Sequence, residues 1–314
     1  VTDLLSTDAV TGDGHAPSGL SPDAARTLAT TTKSAPYMPS ITSRWLLRRL
    51  PWVEATGGTY RRNQTVTAPD GREIDIDIVA GQLDGAPTPA AFVDYDPDPP
   101  EHDLHAAQTI LRVPSRIADL YNGPYNQIEQ QILLIIQALR ERQEYEMVNN
   151  GDIGLLHVAT PEHRLAAHDG TTLLDDLDEL LGRRRNPHML LAHPKAIVAL
   201  GQECTRRGLT VEFVDVDGDR VPAWRGVPVF PCSKIPITER RSTSVIVLRT
   251  GEEDQGVIGL HQTGLPDEWE PSLNVRFMGI DHHGVIHYLI SAYYSLDVLV
   301  PDALGVLDNI PLGT

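Results

Sequence analysis

Only two cysteines, Cys204 and Cys232, occur in the 314 residues. They stand too far apart for a CxxC redox or zinc pair and are too few for a disulfide framework, so they read as reduced thiols. Long apolar runs are missing as well. The densest, Ile132 to Ile136, is far short of the ~18 residues a membrane span requires, and no charged-then-apolar signal segment opens the sequence. Basic residues are scarce: 26 Lys and Arg stand against 43 Asp and Glu, a net charge of −17. A molecule of that charge repels phosphate backbones and anionic lipid surfaces, which argues against nucleic acid or a membrane as partner. The reading is a cytoplasmic protein.

Motifs of chemistry are equally sparse. No HExxH, GxSxG or CxxC is present, and Gly12, Gly14 and Gly19 follow no strand and precede no Lys-Ser/Thr, which excludes a dinucleotide fingerprint and a P-loop. Asp215, Asp217 and Asp219 imitate the start of a calcium loop, but the glycine falls at the wrong position and no glutamate closes the loop. A turn between strands is the better account. His282, His283 and His287 would face opposite sides of a strand rather than gather on a metal. The acidic run Asp175, Asp176, Asp178 and Glu179 reads as the solvated face of a helix that ends in Arg183, Arg184 and Arg185, as the helix dipole prefers. No catalytic residue, cofactor site or metal site is expected.

What is present is a foldable chain with 41% hydrophobic and 22% charged residues, long enough for one large or two modest domains. Residues 1–34 are polar and small, the composition of an arm that cannot form its own core. Ile41 to Trp52 packs apolar and basic residues into a short helix, with Thr42 or Ser43 as cap and Pro51 as stop. From Gly57 to Val79 the pattern alternates, most clearly in Ile74, Ile76 and Ile78 against Asp75 and Asp77, which predicts a projecting ribbon turning at Asp70-Gly71. A Pro- and Asp-rich connector leads to the strongest helical signal, Asn126 to Asn149. There Ile128, Ile132, Ile135 or Ile136, Leu139, Gln143 and Met147 share one face, while Arg140, Glu141, Arg142 and Glu144 take the other.

Two more amphipathic helices are predicted, around Leu173 to Leu181 and from Pro194 to about Gly208. Strands follow at 211–216, 227–230, 244–248, 257–260, 273–280 and 285–300, with Asp217-Gly218 as a hairpin turn. This mixture has no regular βαβ rhythm, so the fold class is α+β. A polar arm, a projecting ribbon and a Trp-Leu helix all expose surface that a monomer leaves unsatisfied, which suits an assembling subunit.

Several stretches are unusual enough to carry a resemblance: LATTTKSAPYMPSITSRWLL from Leu28, LPWVEATGGTYRRN from Leu50, FVDYDPDPPEHDL from Phe92, ALRERQEYEMVNN from Ala138, LLAHPKAI from Leu190, WRGVPVFPCSKIPI from Trp224, RTGEEDQGVIGLHQTGLPDE from Arg249 and VRFMGI from Val275. Through them the sequence resembles the encapsulin nanocompartment shell proteins of the second family. The resemblance implies the tailed-phage major capsid (Hong Kong 97-type) fold. It would place an N-terminal arm at 1–51, an E-loop and connector at 52–100, a P-domain with a spine helix at 101–150, an A-domain at 151–279 and a return to the P-domain at 280–314. It also implies a self-assembling, non-enzymatic icosahedral cage, a homo-oligomer of about 60 copies. The short span between Arg62 and Phe92 has no room for the cyclic-nucleotide-binding domain of some relatives.

That subtype implies a cysteine desulfurase as cargo, held by a disordered targeting segment, with pyridoxal phosphate belonging to the cargo and no cofactor in the shell. Shells for a terpene cyclase, a polyprenyl transferase or a sugar kinase, and the capsid of an infective phage, are the alternatives. Trp45, Leu46 and Trp52 are expected to anchor the arm on a neighbour, and Ile74, Ile76 and Ile78 to form E-loop contacts. The competing expectation is that each packs inside its own subunit.

Overall fold

The computed structural model describes residues 38–62, 76–81, 85, 87–90, 98–114, 127–168 and 172–312. The arm before residue 38, the Asp70-Gly71 turn and Ile74 lie outside the described residues. In chain order, a five-residue helix α1 (Trp45–Arg49) and strand β1 (Trp52–Glu54) precede β2 (Thr59–Arg61), β3 (Glu101–Asp103) and β4 (His105–Pro114). Helix α2 (Gln127–Asn149), a single turn α3 (Leu155–Val158), β5 (Arg164–Ala166), α4 (Leu173–Gly182), β6 (Met189–Ala192) and α5 (Pro194–Arg206) follow. The rest is strand: β7 (Glu212–Val216), β8 (Asp219–Trp224), β9 (Val227–Pro231), β10 (Ser242–Leu248), β11 (Val257–His261), β12 (Glu268–Glu270), β13 (Leu273–Ile280), β14 (Val285–Val298) and β15 (Leu304–Pro311).

Two sheets organise the molecule. In the first, the long strand β14 pairs antiparallel with β4, β13 and β11, and β1 joins β11 in parallel. Helix α2 lies across it. Its Ile132, Ile136, Leu139 and Met147 are buried with Leu111 and Val113 of β4 and Ile290, Tyr294 and Leu296 of β14, which is the predicted 3.6-residue stripe meeting a period-two face. The second sheet runs β5-β15-β10-β6-β9-β8-β7. Leu174, Leu177 and Leu180 of α4 and Ala196, Leu200 and Cys204 of α5 close a second core over it.

Local chemistry sets the ends of these helices. Thr172 and Asp175 form a reciprocal capping box at the start of α4. Pro194 stands in the first turn of α5, where His193 accepts the Lys195 N–H at 3.0 Å. The predicted turn between β7 and β8 is also found: Val216 pairs with Asp219, and Asp217 and Gly218 have φ of 55° and 85°, the left-handed pair of a two-residue type I′ hairpin.

Strands within 257–298 belong to the sheet under α2, and 304–311 lies in the other sheet. The reason is burial. Strand β15 is apolar on both faces from Leu304 to Leu307, the signature of a central strand, and only the slot between β5 and β10 covers both sides. Trp52 to Glu54 is a strand of the main sheet, and β2 and β3 form a separate two-stranded ladder. Two expectations are corrected. His282 and His283 occupy the turn between β13 and β14 with ring centroids 3.9 Å apart, rather than opposite faces of a strand. Finally, Asp176 is buried and Asp178 accepts the Trp224 indole N–H at 2.7 Å, so the acidic side of α4 is partly used inside the fold.

Candidate assembly surfaces

The chain entering α1 is tied to the helix beneath it by two carboxylates. Glu141 accepts the Thr42 backbone N–H at 2.8 Å and its hydroxyl at 3.0 Å, and pairs with Lys234, while Arg44 stands 3.7 Å away. Burial works against its charge, yet the Lys234 and Thr42 donors hold Glu141 below the ordinary carboxylate range. One turn on, Glu144 accepts the Leu46 N–H at 3.1 Å. It is only 2% exposed, and burial pushes its carboxyl up to about 7. The α2 face assigned to solvent is therefore the docking face for α1. Neither Thr42 nor Ser43 caps that helix: the N-cap is Arg44 in the left-handed region, φ 48°, because Thr42 is spent on Glu141.

The same region positions Trp45, Leu46 and Trp52. Leu46 has no exposed surface at all. Trp45 stacks on Phe230 of β9 with centroids 4.8 Å apart. The Trp52 indole N–H donates to the Leu47 carbonyl at 3.1 Å, and its ring lies over Gly259, where an added Cβ would sit 2.7 Å from it. Leu46 leaves nothing for a neighbour, and Trp45 and Trp52 spend most of their surface at home. Gly259→Ala is expected to cost about 1–3 kcal/mol of subunit stability by overpacking, read as a lowered denaturant midpoint; an unchanged midpoint would mean the Trp52 ring is free to move aside.

Large apolar side chains do reach solvent elsewhere. Ile76 and Ile78 are exposed together with Val79, in keeping with a contact role, although residues 76–80 form no strand. A second group was not anticipated. Phe277, Met278 and Ile280, each more than half exposed, stand on β13. Strand β12 pairs with Leu273 and Asn274, and the Val275 N–H donates to the Asp267 carbonyl at 3.0 Å; beyond Val275, among the described residues, the outer edge of β13 is unpaired. The register slips between Phe277 and Gly279, a bulge that turns two adjacent apolar residues outward. Edges are usually blunted by charge or proline, and this one carries phenylalanine, methionine and isoleucine. The signal was present in VRFMGI, whose adjacent Phe and Met break the alternation a one-sided strand requires.

Among the described residues no group of three or more His, Cys, Asp or Glu is placed to hold a metal, and no helix is long and apolar enough to cross a membrane. A family model described as SrpI-like type 2A encapsulin shell protein matches residues 61–314. The type 2A encapsulin shell protein SrpI of Synechococcus elongatus is 44% identical over 288 residues, 91% of this chain and 92% of that protein. A type 2A encapsulin shell protein of Mycobacterium leprae is 42% identical over the same shares. The cryoEM structure of the holo-SrpI encapsulin complex from Synechococcus elongatus superposes with a TM-score of 0.77 at 42% identity, covering 94% of this chain and 97% of that one. The capsid of an empty GTA particle does so at 0.60 and 14% identity, over 88% and 93%, which establishes the capsid fold alone. With a family model over most of its length and relatives above 40% identity, the chain belongs to the SrpI-like family of type 2A encapsulin shell proteins.

Proposed function

We propose that the chain is a non-enzymatic shell subunit that closes with about 60 copies of itself into an icosahedral cage of the smallest lattice type in the cytoplasm, and that the cage encloses a cargo enzyme. The observation that carries this is the unpaired edge of β13 with Phe277, Met278 and Ile280 exposed. Among the described residues nothing covers it, and contiguous exposed apolar surface marks an interaction site. Closed symmetry with heterologous contacts offers such an edge a partner in every copy. The cargo reading is a cysteine desulfurase with its own pyridoxal phosphate. It rests on the subtype resemblance and on the lack of room for an inserted domain before Phe92.

Negative-stain microscopy of the protein purified from its native host, with mass spectrometry of what co-purifies, tests both levels. Uniform hollow particles containing a cysteine desulfurase are the expected result. Particles holding another enzyme, such as a terpene cyclase or polyprenyl transferase, would overturn the cargo alone; small oligomers would overturn the cage.

A further inference from the structure

The β2–β3 ladder pairs three residues from each strand and belongs to neither large sheet, so hydrogen bonds to side chains, together with its run into β4, fasten it to the rest of the molecule. The Gly58 N–H donates to the Gln262 side chain at 2.6 Å, the Tyr60 hydroxyl to Glu252 at 3.1 Å and the Arg62 guanidinium to the Val298 carbonyl at 2.8 Å. A fourth fastening is unfinished. Asp297 of β14 is only 3% exposed, yet Arg62, through the same Nη1 that serves Val298, reaches its Oδ1 only at 3.5 Å. His102 of β3 stands 3.3 Å from that oxygen. The approach is too poorly aligned for a hydrogen bond: His102 Nε2 and Asp297 Oδ2 are both buried without a partner. Ser295, two residues back on the same face of β14, brings no relief, since its own hydroxyl is buried and unpaired.

Buried polar atoms are nearly always paired, and a buried carboxylate short of donors is costly. The group placed to complete this one is an imidazole. Histidine is the side chain whose charge ordinarily changes between pH 5 and 8, and the other groups around the pair hold theirs. Arg62 is a guanidinium, and the Tyr60 phenol, pushed up to about 12 by burial and by its bond to Glu252, stays protonated. On either side of His102, Glu101 is paired with Arg61 and Asp103 accepts the Thr59 hydroxyl. With a proton on His102 the contact with Asp297 becomes an ion pair, and charge-assisted hydrogen bonds are the shorter and stronger kind. We propose that His102 and Asp297 form a proton-operated latch: protonation of the imidazole draws the β2–β3 ladder onto β14 and fixes the root of the segment that carries the exposed Ile76 and Ile78. The clamping is fully present at the acid end and is lost as pH rises through the range in which the imidazole gives up its proton. The latch lies within one subunit and does not rest on the shell reading.

Hydrogen exchange at the amides of β2 and β3, measured on the full chain in the form in which it purifies and expressed as protection factors at pH 5.5 and pH 8, tests the latch. A ladder this short opens locally rather than with the whole fold, so the readout follows its own fastenings. Protection about tenfold greater at pH 5.5 is expected, the scale of one charge-assisted hydrogen bond. His102→Gln should remove the difference and leave the ladder at its pH 8 level. His102→Lys, a permanent cation, should hold it near the pH 5.5 level at both values. Asp297→Asn, which keeps the shape and loses the charge, should flatten the profile too; should that buried substitution fail to fold, the two His102 variants on the ladder still decide the matter. Equal protection at the two pH values in the unaltered chain overturns the proposal. A difference that survives His102→Gln overturns it as well, assigning the pH dependence to another group such as Glu144.

Discussion

Replacing Phe277 and Ile280 together with aspartate is expected to yield a subunit that folds and builds no particles. Both side chains are more than half exposed in the single chain, and Phe277 touches its own subunit through an edge-on contact with Tyr288, centroids 5.8 Å apart. Removing them costs the monomer about 0.5–1 kcal/mol, the scale of surface substitutions and one aromatic pair. In an assembled contact the same change buries a carboxylate without a partner, at several kcal/mol per site. Every copy repeats that penalty, so closure fails as a whole. Size-exclusion chromatography with circular dichroism decides the matter: native spectra at small size are expected, and normal particles would place this edge in solvent. Leu46→Ala serves as the contrast. Because Leu46 is entirely buried within one chain, its truncation should cost about 2–5 kcal/mol of subunit stability.

Glu144 sets the second large effect, a pH dependence of the docking of α1. The groups facing it are Lys234, Arg44, Glu141 and the Leu46 N–H; Lys234 is already paired with Glu141. Its folded value of about 7 lies above the ordinary 4.5. The folded state thus holds a proton that the unfolded state has released. The stabilisation is fully present below the unfolded value and is lost as pH rises through about 7. A shift of that size corresponds to roughly 3 kcal/mol at most. Glu144→Gln mimics the protonated form. Its thermal midpoint should therefore lose the decline that the unaltered chain shows between pH 5 and 8 (about the window set by the two values) and should be the higher of the two at the alkaline end. Parallel midpoint curves for the two proteins would refute the assignment. Amide exchange at Leu46 and Arg49, measured across the same range, reports whether α1 is the element that loosens.

What could be read in the sequence is whatever is periodic. The stripe from Ile132 to Met147 met a real sheet, the leucines of α4 and the Pro194 start of α5 came out where their spacing placed them, and Asp217-Gly218 turned as its residue types demand. What could not be read is pairing over distance. Trp45 finds Phe230 and Trp52 finds Gly259, each roughly two hundred residues away, and nothing local to a tryptophan states whether its surface is covered by its own chain or by another. The same holds for β15, whose sequence declares a central strand without saying of which sheet. Glu144 shows a subtler limit. By helical angle it belongs on the polar face, and only the arrival of α1 on that face buries it. Of the ribbon residues, Ile76 and Ile78 are exposed and Ile74 lies outside the described residues, while the edge of β13 carries its signal in a break of alternation rather than in a periodic pattern.

The position of β15 also bears on how such a subunit is made. It pairs in parallel with β5 at Val306 and Arg164 and antiparallel with β10, so the slot between β5 and β10 stays open until the ribosome has delivered residues synthesised about 140 positions after β5. At ~5–20 residues per second that is a wait of roughly 7–30 s, during which the nascent chain carries an unfilled slot. A chain whose synthesis stops short of Leu304 leaves β5 without its partner strand and the outer edge of β10 bare, so closure of this sheet waits on the delivery of β15.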